Sequence, residues 1–388
     1  MSAAALLCVP WIDPRETLFS YCVFVHRFNR MISSAASARL ILQASHATRQ
    51  HDIPSNLSAL TQFAPALFAD PVQAMRRHTV VGYYWPFMNE ARQTVTCSEL
   101  PNPGGVSGLR AIGASTRKLA IAHPLKWCPT CLEEDLQGIG RPTWRTEHQL
   151  PTTFVCLVHN QPLLDAGVGG KTWRWPGEGA PTAASTVSAE VVAMAAVGSA
   201  ARELSAIDFE CLRNSAIDRL ADLGALHSRH AVRHVRLERW FSNTAVGRWL
   251  STAPNGLSAL QPGDWIAKAL WRRPTSHAVR WTVLWATLNW SGPEEARDRF
   301  MAACRGNRSL PDGRLCDDAT AWPRQDAPLA FAVAVQECFS YRELSARLHA
   351  TRADVIRWFE AYPALRSQWR QQWLEGRRRG KRVSRDWS

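Results

Sequence analysis

Two short pairs of residues that commonly bind metals stand close together in the first half of this chain. Cys128 and Cys131 form the pair C-P-T-C, and after residues 132–155 Cys156 and His159 form the pair C-L-V-H. Two intervening residues let both side chains of a pair converge on one ion, and four such ligands suit a tetrahedral structural zinc site. The spacing therefore predicts one structural Zn²⁺ per chain, bound by these four side chains.

The predicted site is structural and not catalytic. Four protein ligands leave no coordination position for water, so the metal would not activate a nucleophile. The sequence contains neither the H-x-E and P-C-x-x-C elements of zinc deaminases nor the H-E-x-x-H motif of common metalloproteases. His123 and His148 remain as alternative ligands. We therefore predict no catalytic residues and no enzymatic activity.

The size and charge of the chain narrow the class of protein. Its 388 residues indicate two or three domains. Its formal net charge of +13 favours a polyanionic partner, and nucleic acid is the first candidate. The apolar stretches fall short of the ~18–20 residues that a membrane span needs, and the first residues lack the basic region of a signal peptide. We expect a cytoplasmic protein, whose cysteines are thiols or metal ligands rather than disulfides.

The predicted metal ligands belong to a small β-containing module within a mainly helical chain. Aromatic and β-branched residues broken by Pro and Gly favour short strands and loops over 79–165. The Gly, Ala, Pro, Ser and Thr composition of 166–200 is typical of a linker. We predict a mainly α multidomain fold in four parts: 1–165, an α-helical domain with a zinc-ribbon-like module at about 120–165; 166–200, a linker; 201–335, a helical DNA-binding or core domain; 336–388, an all-α helix-turn-helix with a basic tail.

Residues 343–360 fit a helix-turn-helix. Its internal apolar seam would consist of Leu344, Leu348, Val355 and Trp358. Thr351, Arg352 and Arg357 would face outward, where a recognition helix meets base edges and phosphates. An ordinary helical hairpin with a solvated charged face is the alternative interpretation.

A basic tail follows this motif at residues 366–388. Its positive charges would attract DNA phosphates without reading the base sequence. The residues assigned to this contact are Arg377, Arg378, Arg379, Lys381 and Arg382. A merely solvated tail is the alternative. A weaker helical pair at about 212–250 suggests a second DNA-binding unit, with basic residues at Arg229, Arg233, Arg236 and Arg239.

Four stretches of the sequence resemble one protein family. WCPTCLEEDLQGIGRPTWRTEHQLPTTFVCLVHNQPL resembles the zinc module of the TniQ/TnsD family, and PWIDPRETLFSY is similar to its amino-terminal signature. Together these cover about the first 165 residues. The stretches LADLGALHSRHAVRHVRLERWF and DWIAKALWRRPTSHAVRWTVLWATL, with the terminal helix-turn-helix, are similar to the TnsD type.

The resemblance implies a non-catalytic target-site selector of a heteromeric Tn-seven-type transposon in the bacterial cytoplasm, associated with the nucleoid. Such a protein binds double-stranded attachment-site DNA and recruits an AAA+ transposition ATPase of the TnsC/TniB type. Host DNA-associated proteins are further candidate partners. Alternatives are an adaptor that docks on a CRISPR RNA-guided surveillance complex and a zinc-containing transcription regulator.

The sequence also suggests which part of the chain recruits the ATPase. Residues 1–165 are rich in aromatic residues and Pro-bounded loops, which suit a protein interface. The aromatic residues in question are Tyr83, Tyr84, Trp85, Trp127 and Trp144. Any one of them could instead pack the core of the module.

Overall fold

The computed structural model of the protein describes residues 9–45, 51–102, 112, 124–167, 173–179, 188–226, 234–251, 253, 257–261, 263–267, 269–270, 277–306, 327–338, 341–347, 355–356, 358–359 and 362–378. Contacts divide the chain into two compact units, Met1–Asn307 (unit 1) and Arg308–Ser388 (unit 2). Helices dominate the described residues, which confirms the predicted mainly α fold. Among the described helices, none combines the length and apolar character that crossing a membrane requires.

Unit 1 opens with six described short helices, and side chains cap the first turns of four of them. The oxygen of Thr17 accepts a hydrogen bond from the amide of Ser20, and that of Asp70 accepts from the amides of Val72 and Gln73. Such caps satisfy amides that have no partner within the helix. These helices are α1 Leu18–Phe28, α2 Ser34–Leu42, α3 Ser58–Phe63, α4 Pro71–His78, α5 Val81–Tyr84 and α6 Glu90–Glu99, with a 3₁₀ turn at Trp85–Phe87.

A small module with short strands follows, as the sequence predicts. Two antiparallel pairs frame it, with Lys126 opposite Asp165 in one and Cys156 opposite Gln161 in the other. The first cysteine pair leads into a helix rather than a strand. The elements are β1 Lys126–Trp127, α7 Pro129–Gly138, a 3₁₀ turn at Thr146–Gln149, β2 Val155–Cys156, β3 Gln161–Pro162 and β4 Leu164–Asp165.

The remainder of unit 1 is helical in the described residues. Its elements are α8 Ala189–Arg202, α9 Phe209–Asp222, α10 His234–Asn243, α11 Ala245–Leu250, a 3₁₀ turn at Leu257–Leu260, α12 Asp264–Ala267, α13 Ala278–Ala286 and α14 Pro293–Cys304. Helix α8 packs against α5, α13 and α14. It begins inside the segment for which the sequence predicts a linker, because most of its alanines are buried contacts and not flexible spacers.

Helix α8 also passes close to the metal-ligand module. A Cβ atom at Gly198 would lie 2.7 Å from the hydroxyl oxygen of Thr152, so only glycine allows this approach. Thr152 belongs to the loop between the two ligand pairs. One hydrophobic core joins the module to the helices, and it includes Trp144, Val197 and Trp285. The predicted boundary near residue 165 therefore does not coincide with the division into units at residue 307.

Unit 2 has a small aromatic core of its own. Phe331 lies against Phe359 with ring centroids 5.0 Å apart, and Phe359 stacks on Trp369 at 5.1 Å. Leu344 and Val355 are buried in the same cluster. The described helices of unit 2 are α15 Ala327–Glu337, α16 Tyr341–Arg347 and α17 Pro363–Arg378.

Candidate metal centre

Local backbone structure brings the two ligand pairs into position. Cys128 occupies the N-cap position of α7, and Pro129 begins the helix with the backbone angle that its ring imposes. Cys131 therefore lies in the first turn of the same helix. In the second pair, Cys156 ends β2, and His159 lies in the turn before Asn160, which adopts a left-handed φ of 49°.

The four predicted ligands meet in one cluster. The Nδ1 atom of His159 lies 3.5 Å from the sulfur of Cys128, 3.3 Å from that of Cys131 and 3.5 Å from that of Cys156. The sulfurs of Cys131 and Cys156 are 3.5 Å apart, and all four atoms lie within 4.8 Å of one another. Tetrahedral zinc with ordinary bond lengths would hold such ligand atoms about 3.5 to 3.8 Å apart. The arrangement thus fits a metal ion of this geometry.

The three cysteines are buried, and hydrogen bonds favour the thiolate form of Cys128, whereas hydrogen bonding to the sulfur of Cys128 raises the pKa of Cys131 and of Cys156. Hydrogen bonding from the thiols of Cys131 and Cys156 lowers the pKa of Cys128. The sulfur of Cys128 also accepts a hydrogen bond from Nε2 of Gln161 at 3.0 Å. The sulfur of Cys131 accepts one from Nη1 of Arg145 at 3.0 Å. Both donors stabilise negative charge on sulfur.

Of the two alternative ligands, His148 lies beside the cluster but outside it. Its Nε2 atom is 3.8 Å from the sulfur of Cys131, whereas Nδ1 of His159 lies closer to the same sulfur. Burial lowers the pKa of His148 to about 3, so its ring is neutral near pH 7. The geometry favours His159 as the fourth ligand. His123 lies outside the described residues.

The amino-terminal segment holds the loop between the ligand pairs. Two hydrogen bonds join Arg141 to Glu16, at 2.5 Å and 2.7 Å, and both side chains are buried. Backbone hydrogen bonds join Thr17 to Trp144 and Thr146 to Arg15. Burial raises the pKa of Glu16, and the neighbouring guanidinium of Arg141 opposes this. The segment at 10–21 and the loop at 140–147 therefore fold as one piece.

The aromatic residues that suggest a protein interface pack the core instead. Tyr83, Tyr84, Trp85 and Trp144 are all buried, and Trp127 is partly buried. These aromatic side chains therefore do not support an interface, and recruitment of the ATPase by the domain as a whole stays a prediction. Other apolar side chains near the metal ligands are exposed: Leu136 by 49%, Leu157 by 41% and Val158 by 66%.

The predicted DNA-contacting residues lie largely beyond what the structure describes. Thr351, Arg352, Arg357, Arg379, Lys381 and Arg382 are outside the described residues, as are Leu348, Arg229 and Arg233. Arg377 and Arg378 belong to the last turn of α17. Arg236 and Arg239 are exposed on α10. In the predicted seam, Leu344 and Val355 are buried, and Trp358 is partly buried beside Phe331.

Sequence reasoning misses the side chains that surround the ligands. Arg145, Gln161 and Glu134 contact the ligand side chains, yet no metal-site spacing rule includes them. Only Glu134 has a local signal, since it follows Cys131 by three residues on α7 and so shares its face of the helix. The positions of Arg145 and Gln161 depend on how the loop and β3 fold back on the first pair.

Comparison with known proteins identifies one domain. Residues 7–163 match the protein-family model TniQ, and this span contains all four ligands together with the segment that holds them. A comparison with curated proteins gave no match. The TniQ domain implies a function associated with transposition, and proteins with it are in general non-catalytic adaptors that act with DNA and the transposition machinery.

Proposed function

We propose that this TniQ-domain protein is the target-site selector of a heteromeric Tn-seven-type transposon, of the TnsD kind. It binds attachment-site DNA in a sequence-specific way and recruits the AAA+ ATPase that engages the transposase. The observation that carries the proposal is the TniQ match over residues 7–163, with the clustered ligands inside it. Genes for such an ATPase and a transposase beside this one, without CRISPR genes, are the expected context.

We propose further that the metal is one structural Zn²⁺, held by Cys128, Cys131, Cys156 and His159. Three sulfurs and one imidazole nitrogen form a donor set that zinc prefers over the hard cations. The ion would supply a cross-link between the start of α7 and the turn after β2. Because the protein fills all four positions, the centre orders the module and activates no water.

DNA binding is assigned to the carboxy-terminal part of the chain. Arg366 and Arg370 are exposed on α17, and Arg377 follows in the last turn of the same helix. Trp369 anchors the helix in the core of unit 2. The net charge of +13 adds a long-range attraction for a polyanion. These features support a phosphate-contacting helix next to the proposed recognition helix.

Two variants are expected to separate base recognition from phosphate contact. Arg357→Ala should lower discrimination between cognate and scrambled duplexes, because a base-edge contact contributes about 1–3 kcal/mol of specificity. Neutralising Arg377, Arg378 and Arg379 should weaken binding to all sequences alike and reduce its salt dependence. Fluorescence anisotropy across a salt series measures both effects.

A matched control for the change in charge is Arg297→Gln in unit 1. Arg297 is exposed and pairs with Glu203 at 3.1 Å, so its loss lowers the net charge without touching the proposed DNA-binding part. We expect this control to leave binding almost unchanged. If the Arg357 variant and the tail variant behave identically across salt, the assignment of the two roles is wrong.

Recruitment of the ATPase is assigned to the TniQ domain. Since residues 1–165 share one hydrophobic core with α8–α14, the fragment to test is 1–307 and not the domain alone. We expect zinc-loaded 1–307 to capture the cognate ATPase in a pull-down. The assignment fails if this fragment is folded yet does not bind, while 308–388 binds alone.

A single substitution sharpens this test. Val158 is 66% exposed in the turn between two metal ligands, and Val235 is 68% exposed on α10. We expect Val158→Asp to weaken capture of the ATPase by the full-length protein and Val235→Asp to leave it unchanged. Equal capture of the ATPase by both variants would indicate that the ATPase does not contact the turn at Val158.

A further inference from the structure

We infer that Glu134 and Arg145 are positioning residues, which fix two of the metal ligands, His159 and Cys131, in their binding geometry. The inference rests on the metal site proposed above. It concerns how tightly and how long the chain holds the ion, and not whether the ligands are assigned correctly.

The contacts of these residues form a closed loop through the ligand cluster. The carboxylate of Glu134 accepts a hydrogen bond from Nε2 of His159 at 2.9 Å through one oxygen. Its other oxygen accepts one from Nη2 of Arg145 at 3.1 Å. Arg145 donates from Nη1 to the sulfur of Cys131 at 3.0 Å, and that sulfur lies 3.3 Å from Nδ1 of His159. Glu134 thus fixes the imidazole of His159, and Arg145 fixes the sulfur of Cys131.

Glu134 selects the form of the imidazole that can bind. A neutral imidazole that binds a metal through Nδ1 carries its proton on Nε2, and a carboxylate facing Nε2 stabilises that tautomer. Glu134 lies on α7, which also carries Cys131, so the helix that supplies one ligand orients another. Without this acceptor, His159 is free to rotate or to place its proton on Nδ1, and both changes disfavour binding.

Arg145 compensates the negative charge of the sulfur ligands. Three thiolates and a neutral imidazole around a divalent ion carry a net charge of −1, and this charge lies among buried side chains. The guanidinium of Arg145 is 4% exposed and touches the sulfur of Cys131 directly. Asp135 fixes the same guanidinium from the other side, at 2.6 Å. Asp135 therefore orients the guanidinium through Nε and Nη2, and Nη1 points at the sulfur of Cys131.

Glu134 is the better residue for a test, because its side chain is 46% exposed and its removal leaves no buried charge without a partner. We expect Glu134→Ala to release zinc faster to a chelating dye, with an affinity lower by about 10- to 100-fold, the range seen when an outer partner of a metal ligand is lost. Glu134→Gln keeps an acceptor oxygen and should recover a large part of this loss. Glu133→Ala is the matched control, since Glu133 is an exposed acid on the same helix.

A second measurement separates positioning from general stability. In the ¹⁵N spectrum of the zinc-loaded full-length protein, we expect the Nε2–H signal of His159 to be protected from exchange in the wild type and in Glu134→Gln. It should broaden or disappear in Glu134→Ala, while the melting temperature with excess zinc stays unchanged.

The outcomes distinguish this inference from the metal site itself. Wild-type protein that holds no metal overturns the proposed site. If the wild-type protein holds metal and Glu134→Ala releases it as slowly as Glu133→Ala does, the proposed metal site is supported. The positioning role of Glu134 is then overturned. Faster release in Glu134→Ala with recovery in Glu134→Gln supports it.

Discussion

Removal of the metal is expected to unfold the two ligand-bearing segments of the module, residues 126–139 and 155–165, while the loop that packs in the large core and the helical part of unit 1 stay folded. The module has strands of only two residues each, and the cluster around its ligands adds little more than Leu163. Structural zinc contributes about 10–16 kcal/mol of binding free energy in small modules of this kind, and this energy is coupled to folding. We therefore expect the largest single effect on this protein from loss of the ion.

Hydrogen exchange with and without a zinc chelator measures this effect. Amides in β1–β4 and at the start of α7 should lose protection after chelation. Amides of α13 and α14 should keep it, because Trp281, Trp285 and Phe300 belong to a large core that the metal does not touch. Protection that persists throughout 126–139 and 155–165 after chelation would contradict a structural role for the ion.

Breaking the buried pair of Arg141 and Glu16 should have the second largest effect. Arg141→Met leaves the carboxylate of Glu16 buried without its partner, and such a loss costs about 3–5 kcal/mol of the free energy of unfolding. The double variant Glu16→Gln/Arg141→Met removes both charges and should recover part of this loss. Urea denaturation of the zinc-loaded proteins measures the free energy of unfolding of the wild type, of Arg141→Met and of the double variant.

The exposed pair of Arg297 and Glu203 supplies the control for this comparison. Both side chains are more than 40% exposed, so Arg297→Met should cost less than about 1 kcal/mol. If Arg141→Met costs no more than Arg297→Met, the amino-terminal segment does not hold the loop through this pair.

The clustering of the four candidate ligands is predictable from the sequence because the information is local. Two residues between the ligands of each pair fix how those side chains converge, whatever surrounds them, and Cys128, Cys131, Cys156 and His159 meet as predicted. The groups around them are not predictable in this way. Arg145 reaches Cys131 only because the amino-terminal segment holds the loop at 140–147. No rule of sequence spacing relates Arg145, Cys131 and the amino-terminal segment.

The predicted linker at 166–200 shows why amino-acid composition alone does not distinguish a linker from a buried helix. Alanine, glycine and serine are typical of linkers, yet the same small side chains let a helix approach its neighbours closely. In α8, which packs against α13 and α14, Gly198 lies against Thr152, and all alanines after Ala189 are buried. Periodicity does not help, because a helix in contact on most sides lacks a polar face.

Elemental analysis of the purified full-length protein tests the central claim, a zinc-bound TniQ domain, most directly. We expect one zinc per chain in the wild type, and a clear loss of zinc together with a lower melting temperature in Cys128→Ser and Cys156→Ser. Wild-type protein without zinc, or cysteine variants that keep full zinc and melt normally, would contradict the account.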